Sequence, residues 1–160
     1  MIRVQEEPFD IAEELRALRE GNHRIGGTAI FAGSVRDLNL GEHVSAMTLE
    51  HYPGMTEKAL EDIEREAIER WPLDASLIVH RYGRMEPGED IVLVITCSAH
   101  REAAFESCQF LMDWLKTKAP FWKLEESAGE HAGDHEQNAK WVDARESDDQ
   151  AARRWSKPDR

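Results

Sequence analysis

Residues 91–125 read IVLVITCSAHREAAFESCQFLMDWLKTKAPFWKLE, and this stretch decides the fold class. Ile91, Val92, Val94 and Ile95 make a short apolar, β-branched run, so residues 91–97 read as a strand. Ser98 offers a helix N-cap, and Phe105, Cys108, Met112 and Leu115 then recur at helical spacing. Pro120 ends that helix near Lys118, because proline disfavours a helical residue before it. Residues 121–125 follow as a short extended segment.

The pattern continues outward. Residues 76–82 read as another strand, and MEPGE at 85–89 is a turn, which predicts an antiparallel hairpin with 91–97. Residues 28–35 and 44–52 are further strands, the second with Met47, Leu49 and His51 on one face by alternation. Asp10 and Glu13 form a capping box for a first helix faced by Ile11, Leu15 and Leu18. Thr56 caps a second helix, faced by Leu60, Ile63, Ala67 and Trp71 and stopped by Pro72. Residues 36–42 form a polar loop. SAGEHAGDHEQN at 127–138 reads as a mobile surface loop, 141–145 as a short strand, and 148–155 as a last helical turn or two. The class is α+β, a mainly antiparallel sheet with three main helices. Residues 1–155 are expected to form one domain, with 156–160 a frayed tail.

Composition bounds the function. The chain has 160 residues, 41% of them apolar, which suits one hydrophobic core. Its longest aliphatic run is far too short to span a bilayer, and MIRVQEEPFD has no apolar signal core. A soluble cytoplasmic protein is expected. The net charge of −12 repels nucleic acid and anionic membranes, so an anionic ligand needs a local cluster of basic residues. Cys97 and Cys108 are too few for a disulfide scaffold and sit in apolar surroundings, as core residues do.

Two basic places share the long helix. His100 and Arg101 stand in its first turn, where free N–H groups and the dipole favour an anion. A merely tolerated surface pair is the equal alternative. At the other end Lys116 lies four residues past Met112 and continues the apolar stripe or borders it, whereas Lys118 points to nearly the opposite side. Phase therefore predicts a partly desolvated Lys116 and a solvated Lys118. The plainer alternative for Lys116 is a lysine that buries only its stem. Lys123 lies beyond the proline, so dipole complementation does not explain it. Arg36 and Arg145 are isolated in or beside polar segments. His131 and His135, in an acidic loop, do not make a metal site. There is no glycine-rich phosphate loop or dinucleotide fingerprint, and neither a metal nor a cofactor is expected.

TLEHYPGM (48–55), SAHREAAFE (98–106), LKTKAPFWK (115–123) and WVDARESD (141–148) together resemble the molybdopterin synthase catalytic (large) subunit family. GSVRDLNLG (33–41) is similar to that family's arginine loop. These stretches occur in the family's order and span nearly the whole chain. The resemblance implies an α/β hammerhead-like fold and a sulfurtransferase of molybdenum cofactor biosynthesis. Such an enzyme converts cyclic pyranopterin monophosphate into the dithiolene molybdopterin. The sulfur arrives as a thiocarboxylate on the C-terminal Gly-Gly of a small ubiquitin-like partner subunit, and two large subunits form the homodimer core of a heterotetramer. By the same resemblance Lys116 and Lys123 are catalytic and also contact substrate. Arg36, His100 and Arg101 bind the substrate phosphate, with Arg145 a further basic residue at the pocket. Phe31, Met112 and Glu125 match positions near the site. The acidic stretch 127–138 is longer than the family pattern leads one to expect.

Overall fold

The apolar runs at 77–79 and 92–97 are hydrophobic on both sides because helices cover both sides. Leu77, Val79, Leu93, Ile95 and Cys97 face one way, under Phe9, Ile11, Leu15 and Leu18. Ile78, Val92 and Val94 face the other, against Leu60, Ile63, Phe110 and Leu111. The two sets interleave with the two-residue period of a strand.

A computed structural model describes residues 1–39, 41–127, 138–142 and 146–156. The elements are β1 (Ile2–Gln5), α1 (Ile11–Arg19), β2 (Gly27–Ser34), β3 (Leu38–Asn39), β4 (Glu42–His43), β5 (Ala46–His51) and α2 (Met55–Arg70). Then come β6 (Leu73–Arg81), β7 (Gly83–Met85), β8 (Asp90–Ser98), α3 (Arg101–Lys118), β9 (Phe121–Ser127), β10 (Asn138–Val142), α4 (Glu146–Arg153) and a 3-10 turn at Arg154–Ser156.

One sheet runs β1-β6-β8-β2, with α1 on one face and α2 and α3 on the other. A second runs β10-β9-β5-β7, and β3 and β4 form a small hairpin. All pairings are antiparallel except β1 with β6. This is the expected α+β class with a mainly antiparallel, hammerhead-like arrangement. None of the described helices is long and apolar enough to cross a membrane.

Several local expectations change. Residues 2–5 form an edge strand the sequence reading passed over, because its partner β6 is remote. The hairpin across 85–89 is interrupted: β6 and β8 do pair, but β7 leaves their sheet and joins β5. Thr56 does not cap α2. Gly54, at φ 82°, precedes the first helical residue, and its N–H donates to the Glu57 carboxylate at 2.6 Å. Thr56 is buried and exchanges hydrogen bonds with the Tyr52 backbone instead. Ser98 lies three residues before α3, whose N-cap position is held by His100, and its hydroxyl donates to the Pro72 carbonyl. The Asp10 cap is as expected, accepting from the Glu13 N–H at 2.9 Å.

Phe105 is not on the buried stripe of α3; it is 65% exposed. The stripe is Ala104, Cys108, Leu111, Met112 and Leu115. Ala104, Cys108, Leu111 and Leu115 keep the four–three–four spacing of one helix face, and Phe105 is turned about 100° from its start.

Candidate active site

Alternation along β9 places Phe121, Lys123 and Glu125 on one face. Directly across on β5 stand His51, Leu49 and Met47, the last two buried. The three β9 side chains thus form a row beside His51 and two buried apolar side chains of β5, and each end of the row meets a different group.

At the Phe121 end, the His80 ring stacks on Phe121 with centroids 3.7 Å apart and planes 17° from parallel. His51 lies against Tyr82 at 4.4 Å. His80 is buried, and its Nδ1 is 2.8 Å from the Arg81 carbonyl. A carbonyl only accepts, so Nδ1 carries the proton and Nε2 is the acceptor. Burial lowers the His80 pKa to about 4; the Arg81 bond opposes that shift, and the charge of Lys116 adds to it. Lys116 in the last turn of α3 is therefore within electrostatic reach of the stack.

At the Glu125 end, the carboxylate accepts from both Lys123 and the Asn39 amide. Burial pushes the Glu125 pKa up. The bonds from Lys123 and Asn39, with the Lys123 and Arg36 charges, outweigh it and hold the group below its ordinary value. Arg36, Asn39, Lys123 and Glu125 line one small pocket with Ser34 and Met47. Arg36 thus comes to Lys123 although 87 positions separate them in the chain.

Lys116 is exposed in the single chain, not desolvated as its phase suggested. It stands one position past buried Leu115, and that 100° step takes it off the stripe. Lys118 is exposed as expected but held, with its ammonium 3.6 Å from the Trp114 ring centroid and 3.9 Å from Glu66. Met112 is buried in the core, and Phe31 is 39% exposed on β2.

His100 and Arg101 stand at the opposite end of α3 from Lys116. Arg101 packs beside the start of β2, where a Cβ on Gly27 would lie 3.1 Å from its backbone. Arg36 follows the other end of β2, roughly 24 Å away along an extended strand. One chain therefore joins Arg36 to Lys123 but leaves His100 and Arg101 apart from them. Arg145, His131 and His135 lie outside the described residues.

Both cysteines are buried, and burial raises both thiols, Cys108 to about 11. Neither is a ready thiolate. Two groups that meet the ends of the row carried little signal in the sequence. Asn39 sits in a segment without periodicity. His80 directly follows the apolar run 77–79, and a polar residue at a buried strand position was the only signal for it.

The chain matches the MoaE protein family over residues 4–118. It is 54% identical over 154 residues to the molybdopterin synthase catalytic subunit of Pseudomonas aeruginosa, covering 96% of this chain and 97% of that one. A solved molybdopterin biosynthesis MoaE protein from Burkholderia ambifaria superposes with TM-score 0.80 at 51% identity over 99% of each chain. A protein-protein complex of subunits 1 and 2 of molybdopterin-converting factor from Helicobacter pylori shares the fold at TM-score 0.68 and 18% identity, over 85% of this chain and 92% of that one. The pocket that joins Arg36 to Lys123 in a hammerhead-like fold, with these likenesses, defines the class as molybdopterin synthase catalytic subunits. The chain belongs to the MoaE protein family.

Proposed function

We propose that the pocket lined by Lys123 and Arg36, with Lys116 beside it, is where this chain receives a sulfur-bearing tail and a pterin phosphate. The chain is an enzyme, a sulfurtransferase of molybdenum cofactor biosynthesis that moves sulfur onto a pyranopterin. In our reading the donor is the C-terminal Gly-Gly thiocarboxylate of a small ubiquitin-like subunit. The acceptor is cyclic pyranopterin monophosphate, and the work is done in the cytoplasm. That the Helicobacter pylori relative is a two-subunit complex supports the type of partner.

Lys116 is assigned the proton transfers and a transient covalent hold on the carrier's tail. Lys123 stabilises the negative charge that develops as sulfur is delivered. Arg36, His100, Arg101 and Arg145 are assigned to the substrate phosphate. The distance between Arg36 and Arg101 supports a site completed by a second copy of the chain in a homodimer, with one carrier at each end. Carrying the proposal is one observation: in a protein of net charge −12, a lysine and an arginine converge on one pocket with a second lysine beside the row. Reconstitution with thiocarboxylated carrier and cyclic pterin, read by mass spectrometry, tests it. Gain of two sulfurs in the pterin is expected; no sulfur gain overturns it.

A further inference from the structure

Asn39 stands between Arg36 and Glu125, two of the three charged groups of the pocket. Its Nδ2 donates to both Glu125 oxygens at 2.9 Å, and its Oδ1 accepts from Arg36 Nη2 at 3.4 Å. It is 7% exposed although it sits in a two-residue strand whose neighbours Leu38, Glu42 and His43 are exposed. The β3–β4 hairpin therefore turns this one side chain inward.

We propose that Asn39 is a positioning residue for the sulfur-transfer reaction, fixing Glu125 so that Lys123 and Arg36 both face the pocket. The proposal rests on the function proposed above. A primary amide is the side chain that can do this, since it donates to an anion with one end and accepts from a cation with the other. A carboxylate at position 39 would accept from Arg36 but repel Glu125. An aliphatic residue would take away the amide donors and leave the carboxylate free to follow Lys123. Among the described residues, the charged groups facing Glu125 are Lys123 on its own strand, Arg36 beyond β2, and Lys140, its register partner on β10. Asn39 adds no charge to this set; it fixes the order of contacts from Arg36 to Asn39, to Glu125, to Lys123.

Asn39→Asp separates the two ends of the amide, because it keeps the acceptor for Arg36 and loses the donor to Glu125. We expect kcat to fall by about tenfold or more while KM for the pterin stays within about threefold. The 13C signal of the Glu125 carboxyl, assigned with Glu125→Gln, is expected to titrate at higher pH than in wild type, because a hydrogen bond to the ionised form has been replaced by a like charge. The double variant Asn39→Asp/Glu125→Gln reverses donor and acceptor and is expected to recover at least about fivefold of the lost kcat. Loss of packing alone would not be repaired by that exchange. Wild-type kcat and an unmoved carboxyl titration in folded Asn39→Asp would overturn the proposal, as would a double variant no faster than the single one. If Asn39→Asp does not fold, Asn39→Ala is read by the same kcat and titration. Wild-type protein that moves no sulfur counts against the sulfur-transfer reading, and the carboxyl titration then judges Asn39 by itself.

Discussion

Lys123 and Glu125 lie two residues apart on one face of β9, and their side chains form an ion pair inside the pocket that Arg36 also lines. The pairing keeps a cation at a fixed place with no substrate bound. Lys123→Ala is expected to lower kcat by about 10²–10³, the cost of removing one preorganised group from a developing negative charge. Lys123→Arg should recover part of it. Steady-state rates of sulfur transfer decide this; an unchanged kcat removes Lys123 from the chemistry.

Lys116 is exposed, so its removal touches no core contact. Lys116→Ala is expected to reduce product formation by about 10²–10⁴, the range for a positioned acid or base. Its thermal midpoint should stay within a few degrees of wild type, as for other surface substitutions. Near wild-type turnover by this variant would sink the assignment.

Stability should depend on pH through His80. Its folded pKa lies near 4, below the ordinary value of 6.5, so the unfolded chain binds the proton first as pH falls. The stabilising contribution is complete above about 6.5 and is lost as pH drops towards 4. The full span corresponds to about 3 kcal/mol. Urea denaturation of wild type and His80→Phe between pH 7 and 4 checks it. The variant should show the flatter dependence, and equal slopes would exclude His80 as the source.

A site shared between two copies makes a quantitative prediction. Lys116→Ala and Arg101→Ala place their lesions at opposite ends of α3. If the ends meet across a dimer, each mixed dimer keeps one intact site. Random mixing should then yield about a quarter of wild-type activity from two inactive parents. Activity no higher than that of the parents argues for a site within one chain.

Neither cysteine should be needed. Cys97→Ala/Cys108→Ala is expected to cost about 1–3 kcal/mol through the small voids it leaves. Sulfur transfer per folded molecule should remain within about twofold, because buried thiols with raised pKa values do not supply the nucleophile. A tenfold loss would reopen a persulfide route.

Much of this protein is legible along the chain. The α+β class followed from period-two and helical patterns, because burial acts residue by residue and leaves its period in the sequence. Leu60, Ile63 and Ala67, like Met47 and Leu49, occupy the faces their spacing predicted. Five motifs in order were enough to point to the family. What the sequence left open were contacts between elements. Helical phase placed Lys116 at the edge of the stripe, but one residue of rotation decides exposure, and packing against β2, β8, α2 and α4 sets that rotation. No spacing relates Asn39 to Glu125, or His80 to Phe121. Each pair spans two elements, and register and sheet order bring them together. The sequence alone determined which residue types and periodic faces exist. Tertiary structure decided which charges meet, because hydrogen bonds and ion pairs act over a few ångströms in space and carry no trace of their separation along the chain.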